Sequence, residues 1–157
     1  MSADLPDHLP ADPPADLPPG YEPLFRTSPF LDLVGPFFYR QDGDGLAGGF
    51  SVGLRIAERH TNARGLAHGG LLMTLADIAL GYRTAFSADP PASLTTVNLS
   101  ADFSGAAKLG DWVAAQVEIQ HLGSRMAFAN AYLTVNDKRI VRISGVFSRG
   151  EGRLPGK

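Results

Sequence analysis

The spacing of apolar residues predicts one long helix among several strands. Between residues 69 and 86 the apolar positions recur with helical spacing, at about 100° per residue. The predicted stripe consists of Leu71, Leu75, Ile78, Tyr82 and Phe86, with Leu72 and Ala79 at its edge. Asp77 lies almost opposite, flanked by further apolar residues. A helix that is apolar on both sides is usually covered on both sides, so we expect a sheet on one and another element or subunit on the other.

Alternation with period two predicts six strands around this helix. Two strands precede it, at 37–41 and 49–57, joined across an Asp-Gly-Asp-Gly turn signal at 42–45. Four strands follow it, at 94–103, 111–121, 126–135 and 139–148. The order ββαββββ predicts an α+β fold, an antiparallel sheet of about six strands wrapped around one long central helix. Pairing two sheet edges in a dimer would protect them and cover the second face of the helix.

The strand predicted at 94–103 has the clearest alternation. Its apolar face consists of Val97, Leu99, Ala101 and Phe103. Its polar face consists of Thr96, Asn98, Ser100 and Asp102. If the alternation is regular, each set faces one side of the sheet.

Length and composition predict a single folded domain at 21–150, with a short tail at 151–157. The chain has 157 residues, of which 44% are hydrophobic and 19% charged, and this size is sufficient for one core. Residues 1–20 contain six prolines and four aspartates with little to bury, which predicts a disordered or surface-draped arm. Segment 21–35 is predicted to form a short helix or two turns that cap the core.

Charge and residue usage exclude several classes of function. A net charge of −2 argues against nucleic acid or an anionic membrane as a partner. The absence of cysteine excludes a disulfide, a thiolate nucleophile and a cysteine metal ligand. His8 and His121 have no metal-binding spacing with His60 or His68, so we expect no metal and no cofactor. Because no signal peptide or membrane-spanning run is visible, we expect a cytoplasmic protein.

Residues 60–70 contain the most informative polar pattern. Asn62 and His68 lie in a loop that runs through Gly69 and Gly70 into the long helix. A helix start presents free N–H groups and a dipole that favours negative charge, and glycine allows close approach of a ligand. The loop therefore predicts a site that polarises a carbonyl oxygen, with the Asp77 carboxylate available nearby.

Each of these residues also has a structural interpretation. Asn62 could cap a turn through its side chain, and His68 could tie the loop to the backbone. The glycines could serve close helix–sheet packing, and Asp77 could be a solvated residue on an outer helix face. The residues alone leave both interpretations open.

The motif resembles a known family. Asn62-x-x-Gly65-x-x-His68-Gly69-Gly70, followed by Leu75-Ala76-Asp77, is similar to the hotdog-fold acyl-CoA thioesterases, and most similar to their PaaI-like branch. The resemblance covers about residues 30–150. It continues through Thr95-Thr96-Val97-Asn98-Leu99, Phe103, Gly110-Asp111 and Gly123-Ser124-Arg125.

The resemblance implies a homodimer or a dimer of dimers, with active sites at the subunit interface. It implies that the Gly69 N–H binds the thioester oxygen and that Asp77 of the other subunit acts as nucleophile or general base. Asn62 would hold the attacking water or the carboxylate, and His68 would fix the loop and polarise the carbonyl. A hydroxyl of Thr95 or Thr96 would orient the water or Asp77.

Further residues are predicted to bind the substrate, namely Gly70, Met73, Ser124 and Arg125. Arg125 follows a Gly-Ser turn and could contact a CoA phosphate, with Lys108 and Arg149 as less distinctive candidates. A solvated surface charge is the default interpretation of all three basic residues. Met73, Tyr82, Phe103 and Phe128 could line an aryl or an aliphatic acyl pocket. CoA enters as part of the substrate and not as a cofactor.

Three functions compete on these residues. The first is hydrolysis of acyl-CoA thioesters, and the second is hydration or dehydration of an acyl thioester by a His–carboxylate pair. The third is a non-catalytic acyl-CoA-binding protein. The Asn, His, Gly and Asp set favours the first, and the acidic proline-rich arm is unlike a DNA-binding region. The acyl group and the choice between dimer and tetramer stay open.

Overall fold

The computed structural model describes residues 16–153, with backbone only at 151–153. The helices are α1 (Pro29–Val34), α2 (Gly45–Gly48) and α3 (Gly69–Ala85), with a 3₁₀ turn at Glu58–His60. The strands are β1 (Glu22–Pro23), β2 (Phe38–Gln41), β3 (Phe50–Arg55), β4 (Ala92–Phe103), β5 (Trp112–Leu122), β6 (Met126–Val135) and β7 (Lys138–Arg153). Most of the predicted arm, at 1–15, and the end of the tail, at 154–157, lie outside the described residues.

The strands form one antiparallel sheet around a single long helix. Seven strands have the order β1-β2-β3-β5-β6-β7-β4, and every neighbouring pair is antiparallel. Helix α3 packs against β3, β4, β5, β6 and β7. The predicted α+β architecture is therefore confirmed, with one short strand, β1, more than the six predicted. None of the helices in residues 16–153 has the length and apolarity needed to span a membrane.

Two local details differ from the sequence prediction. The connection from β2 to β3 contains the one-turn helix α2, so it is longer than a tight hairpin turn. Strand β7 runs on to Arg153, past the predicted end at residue 148 and into the predicted tail. This extension is paired, since Ala92 of β4 lies opposite Arg153. Residues 16–20 lie at the surface, where Asp16 contacts the guanidinium of Arg55.

Helix α3 is rotated relative to the predicted apolar stripe. Its buried residues are Leu71, Leu72, Leu75, Ala76, Ala79, Leu80, Thr84 and Ala85. The predicted edge positions, Leu72 and Ala79, thus lie within the buried face, while Ile78 and Tyr82 are only half-buried. At helical spacing the two faces differ by roughly 70°. The physical reason is size, because Ala76 and Ala79 let the helix axis approach the sheet more closely than large side chains would.

Strand β4 is a long, open edge of the sheet. It has 12 residues and pairs only with β7 in the described part of the chain. Val97 is 57% exposed and Phe103 is 51% exposed. The strand contains no proline or lysine, the residues that commonly protect such an edge from pairing with another chain.

Candidate active site

The loop before α3 is held by the side chain of Asn62. Its Oδ1 accepts hydrogen bonds from the Arg64 N–H at 2.9 Å and from the Leu66 N–H at 3.3 Å. Gly65 has φ +72°, a conformation that favours glycine. The Asn62 side chain therefore caps the turn through its Oδ1. The Nδ2 group has no hydrogen-bond partner among residues 16–153, so it stays available to a ligand.

His68 is the N-cap residue of α3. Its Nδ1 accepts a hydrogen bond from the Gly70 N–H at 3.0 Å. A neutral imidazole that accepts at Nδ1 carries its proton on Nε2. Because the side chain is exposed, this Nε2–H can donate to a ligand oxygen near the helix start. The structural and the polarising interpretations of His68 therefore involve different ring nitrogens and are compatible.

The N–H of Gly69 is left without an acceptor in the described residues. The next three N–H groups are satisfied by His68: Gly70 donates to its Nδ1, and Leu71 and Leu72 donate to its carbonyl oxygen. The first N–H groups of a helix have no intrahelical partner, and the helix dipole favours negative charge there. This arrangement leaves one N–H free to bind an oxyanion.

His60 is a buried residue that stabilises the same loop. In the sequence its only candidate role is that of a metal ligand. It is 4% exposed, its Nδ1 accepts from the Ala57 N–H at 2.9 Å, and its carbonyl accepts from the His68 N–H at 2.9 Å. Burial, and secondarily the nearby Arg59 cation, lowers the pKa of His60. Its Nε2 comes within hydrogen-bond distance of no described group, and the nearby backbone of Val34, Gly35 and Arg55 offsets part of the lowering of the pKa.

Asp77 is half-buried and is held by a hydroxyl of β4. The Thr96 Oγ1 donates to the Asp77 Oδ1 at 2.8 Å. Thr95 makes no such contact and lies opposite Ser148 on the neighbouring strand. Of the two predicted hydroxyls, the structure therefore brings Thr96 to the carboxylate.

A β-bulge at Val97 turns Thr96 toward Asp77. Thr96 lies opposite Phe147 and Asn98 lies opposite Val146, so Val97 has no opposing residue of its own. Regular alternation would place Thr96 on the face away from Leu99, but the extra residue reverses the phase between them. The predicted assignment of Val97 to the apolar face and Thr96 to the polar face is therefore wrong at these two positions.

Gly69 and Asp77 cannot act on one carbonyl group within a single chain. They are eight positions apart on α3, which corresponds to about 12 Å along the helix axis. Reacting atoms must approach to about 3–3.5 Å. If both residues act on the same substrate, they must come from two copies of the chain.

Two clefts open on the side of α3 that faces α1. The N-terminal cleft, of about 550 Å³, lies beside the loop and is lined by Phe30, Leu33, Arg59, His60, His68 and Gly70, among others. The Asp77 cleft, of about 260 Å³, is lined by Leu31, Asp77, Gly81, Tyr82, Leu94 and Thr96, among others. The contribution of α1 to both clefts has no signal in the sequence, where this segment is only a short helix or turns.

The other predicted substrate contacts lie outside both clefts. Met73 is half-buried and packs against the core, and Ser124 and Arg125 are exposed in the β5–β6 turn. Among the predicted aromatic residues, Tyr82 lines the Asp77 cleft. The Phe103 ring comes within 3.5 Å of the position a Cβ of Gly69 would occupy, while Phe128 is exposed next to His121. Arg149 is engaged with the Gly123 carbonyl.

Comparison with known proteins places the chain in a family. Residues 64–141 match the model of the thioesterase superfamily. The chain is 51% identical over 132 residues to a Pseudomonas aeruginosa protein named "Putative esterase PA0474", covering 84% of this chain and 96% of that protein. It is 30% identical over 81 residues to mouse acyl-coenzyme A thioesterase 13, covering 52% of this chain and 57% of that protein.

The fold comparison agrees with the sequence comparison. The E. coli PaaI protein, from the phenylacetic acid degradation operon, matches with a TM-score of 0.63 at 20% identity, over 68% of this chain and 75% of that one. At this identity the match shows the fold alone. The family predicted from the Asn62–Asp77 motif is thereby confirmed: the chain belongs to the thioesterase superfamily and is a thioester hydrolase of the hotdog fold.

Proposed function

We propose that this enzyme hydrolyses acyl-CoA thioesters to the free acid and CoA. The observation that carries the proposal is the Asp77 carboxylate, held at 2.8 Å by Thr96 at one end of an apolar cleft. The similarity to an acyl-coenzyme A thioesterase supports CoA as the thiol part of the substrate.

The proposed reaction divides between a backbone donor and a carboxylate. The Gly69 N–H, assisted by the His68 Nε2–H, stabilises negative charge that develops on the thioester oxygen. Asp77 either takes a proton from the attacking water or attacks the carbonyl carbon itself, and Thr96 holds the carboxylate in place in both cases. In the first case the proton taken from water passes from Asp77 to the departing CoA thiolate. In the second case the thiolate leaves a mixed anhydride on Asp77, and a water molecule then hydrolyses this anhydride to the free acid, which restores the carboxylate and supplies the proton for the thiolate. Hydrolysis of this kind requires no cofactor or metal ion.

The proposal requires two copies of the chain in each active site. Gly69 and Asp77 are about 12 Å apart along one helix, so the Asp77 that acts at a given Gly69 comes from a second copy. A symmetric dimer would then contain two equivalent sites. The number of dimers in the assembly is a separate question.

Strand β4 is the surface proposed for this dimer. It is the open edge of the sheet, it exposes Val97 and Phe103, and it contains Thr96. Pairing β4 with β4 of a second copy would satisfy the free backbone groups. It would also bring Asp77 of one copy toward the Phe103 end of β4 in the other, where Phe103 lies against Gly69.

Further residues are proposed to contact the substrate or the attacking water. The N–H of Gly70 already donates to His68. We therefore propose that Gly70 contributes by its lack of a side chain, which leaves space beside the thioester. Ser124 and Arg125 are exposed and remain candidates for the CoA phosphates. Asn62 retains a free Nδ2 group for the attacking water, although its Oδ1 is used by the loop.

Thiol release from a panel of saturated acyl-CoA substrates tests the proposal. We expect the wild-type enzyme to release CoA from at least one member and Asp77→Asn to release it far more slowly. A hydratase would leave a saturated acyl-CoA intact, and a binding protein would bind it without releasing thiol. Either result would contradict the proposed function.

A further inference from the structure

The Asp77 cleft continues from the Asp77–Thr96 pair along the second half of α3. Its volume is about 260 Å³, and it lies between α1, α3, β4 and β7, which contribute Leu31, Gly81, Leu94 and Phe147. On α3 it reaches from Asp77 to Ala85, which corresponds to about 12 Å of helix. The cleft is therefore long enough to hold more than the two carbons next to a thioester.

The lining favours an uncharged apolar group. Asp77 is the one charged residue among the described residues that line the cleft, and no basic side chain lines it. Tyr82 contributes a hydroxyl, but burial raises its pKa, so the phenol stays neutral. The phosphates of CoA are repelled by the carboxylate. The Arg26 cation lies near enough to Tyr82 to oppose part of the rise in its pKa, but it is not among the residues that line the cleft. The apolar end of a thioester substrate fits this lining.

We propose that this cleft holds the acyl group and that Gly81 and Leu31 limit its bulk. The inference rests on the proposed function and adds the substrate class, an uncharged aryl or medium-chain acyl group. A cavity of about 150 Å³ accommodates benzene. A cleft of about 260 Å³ holds a ring with a few further carbons, or an aliphatic chain of similar bulk.

Gly81 determines how much of the cleft is open. A Cβ built at Gly81 would meet one neighbour outside the helix, the Phe147 ring at 3.9 Å, which is ordinary contact. A larger side chain at this position therefore extends into the cleft without striking the backbone. Leucine is also a better helix former than glycine, so Gly81→Leu fills the cleft without weakening α3 through propensity.

The test compares two acyl groups on wild type and two Gly81 variants. We expect wild type to prefer octanoyl-CoA to acetyl-CoA, and Gly81→Leu to lower kcat/KM for octanoyl-CoA by about tenfold or more while acetyl-CoA changes little. Gly81→Ala, which adds a single methyl group, should give an intermediate ratio. The proposal is overturned if Gly81→Leu lowers both substrates equally or changes neither.

A second pair of variants tests the effect of enlarging the cleft instead of filling it. Leu31→Ala enlarges the cleft and should raise the relative kcat/KM for acyl groups bulkier than octanoyl. Leu46→Ala is the matched control, because Leu46 is a half-buried leucine that packs against the core, as Leu31 does, but it lines neither cleft. Equal ratios in the two variants would contradict the assignment. A wild-type enzyme that releases no thiol from any acyl-CoA would instead refute the proposed function, so the two failures are distinguishable.

Discussion

The two halves of α3 contribute to the site in different ways. At the N-terminal end, the groups available to a ligand are a backbone N–H at Gly69 and an imidazole that already caps the helix. In the middle, the available group is a side-chain carboxylate whose orientation depends on a hydroxyl from β4. The groups of the first half come from residues that are neighbours in the sequence. The second half depends on the pairing of β4 with β7, which is distant in sequence.

This difference predicts how each half responds to mutation. At the N-terminal end, a change matters when it removes the backbone N–H, and an added side chain matters little because Gly69 faces only ordinary contacts. In the middle, the charge of Asp77 and the position of Thr96 both matter.

The largest effect is expected at the carboxylate. Asp77→Asn preserves shape and removes the base or nucleophile, so kcat should fall by about 10²–10⁴. The fold should be retained. Asp137→Asn is the matched control, since Asp137 is an exposed residue of the β6–β7 turn whose left-handed conformation asparagine also adopts, and its kcat should stay near wild type. Near-wild-type kcat in Asp77→Asn would make the carboxylate a structural residue.

The next effect is expected at the backbone donor. Gly69→Pro removes the N–H at the first helical position, where proline is well tolerated, and His68 has φ −65° and ψ 135°, which a following proline permits. Loss of one oxyanion donor should lower kcat by about 10²–10³. Gly69→Ala retains the N–H and should stay close to wild type. If both variants lose activity equally, the free N–H has no part in the reaction.

A smaller effect is expected at the hydroxyl that holds Asp77. Thr96→Val removes the hydroxyl at nearly constant shape, and a hydrogen bond to a charged group contributes about 1.5–3 kcal/mol. Because this bond is exposed to solvent, we expect the low end of that range, a fall in kcat of about tenfold, and we expect Thr95→Val, on the other face of the strand, to leave kcat unchanged. A reversal of the two results would show that the bulge at Val97 is absent in solution.

The smallest effect concerns the stability of the loop. Because burial lowers the pKa of His60 below the ordinary value of a histidine, the unfolded chain binds more protons there at acidic pH. The neutral buried form contributes stability that is present above the unfolded pKa and is lost as pH falls through the folded one. Urea unfolding should therefore give a lower free energy at about pH 5 than at about pH 7.5.

His60→Asn serves as the comparison for this pH dependence. The Asn Oδ1 can replace the Nδ1 acceptor for the Ala57 N–H, but the amide does not titrate. The free energy of unfolding should then vary less between the two pH values than in wild type. An identical pH dependence in both proteins would mean that His60 does not contribute.

The local half of the site could be predicted from the sequence. The start of α3 at Gly69 is marked by a capping residue and a glycine pair, and apolar periodicity predicts a helix to residue 86, one position beyond its end at Ala85. Regular alternation also predicts the start of β4 to within two residues. These features depend on residues that are near neighbours in the chain.

The part of the site that depends on strand pairing could not be predicted from the sequence. The bulge that turns Thr96 inward depends on the register between β4 and β7, and no residue of β4 signals it. The rotation of α3 depends on how closely Ala76 and Ala79 approach the sheet. The contact between α1 and the Asp77 cleft joins residues about fifty positions apart, and neither segment indicates the other.

A complementation experiment tests most directly the claim that each active site combines Gly69 of one copy with Asp77 of another. Asp77→Asn and Gly69→Pro chains, carrying different tags, are co-expressed and the mixed dimer is purified. One of its two sites then has an intact Gly69 and an intact Asp77, and the other has neither. We expect the mixed dimer to show about half of the wild-type kcat per dimer, while each parent dimer stays nearly inactive. A mixed dimer no more active than its parents would contradict the shared site.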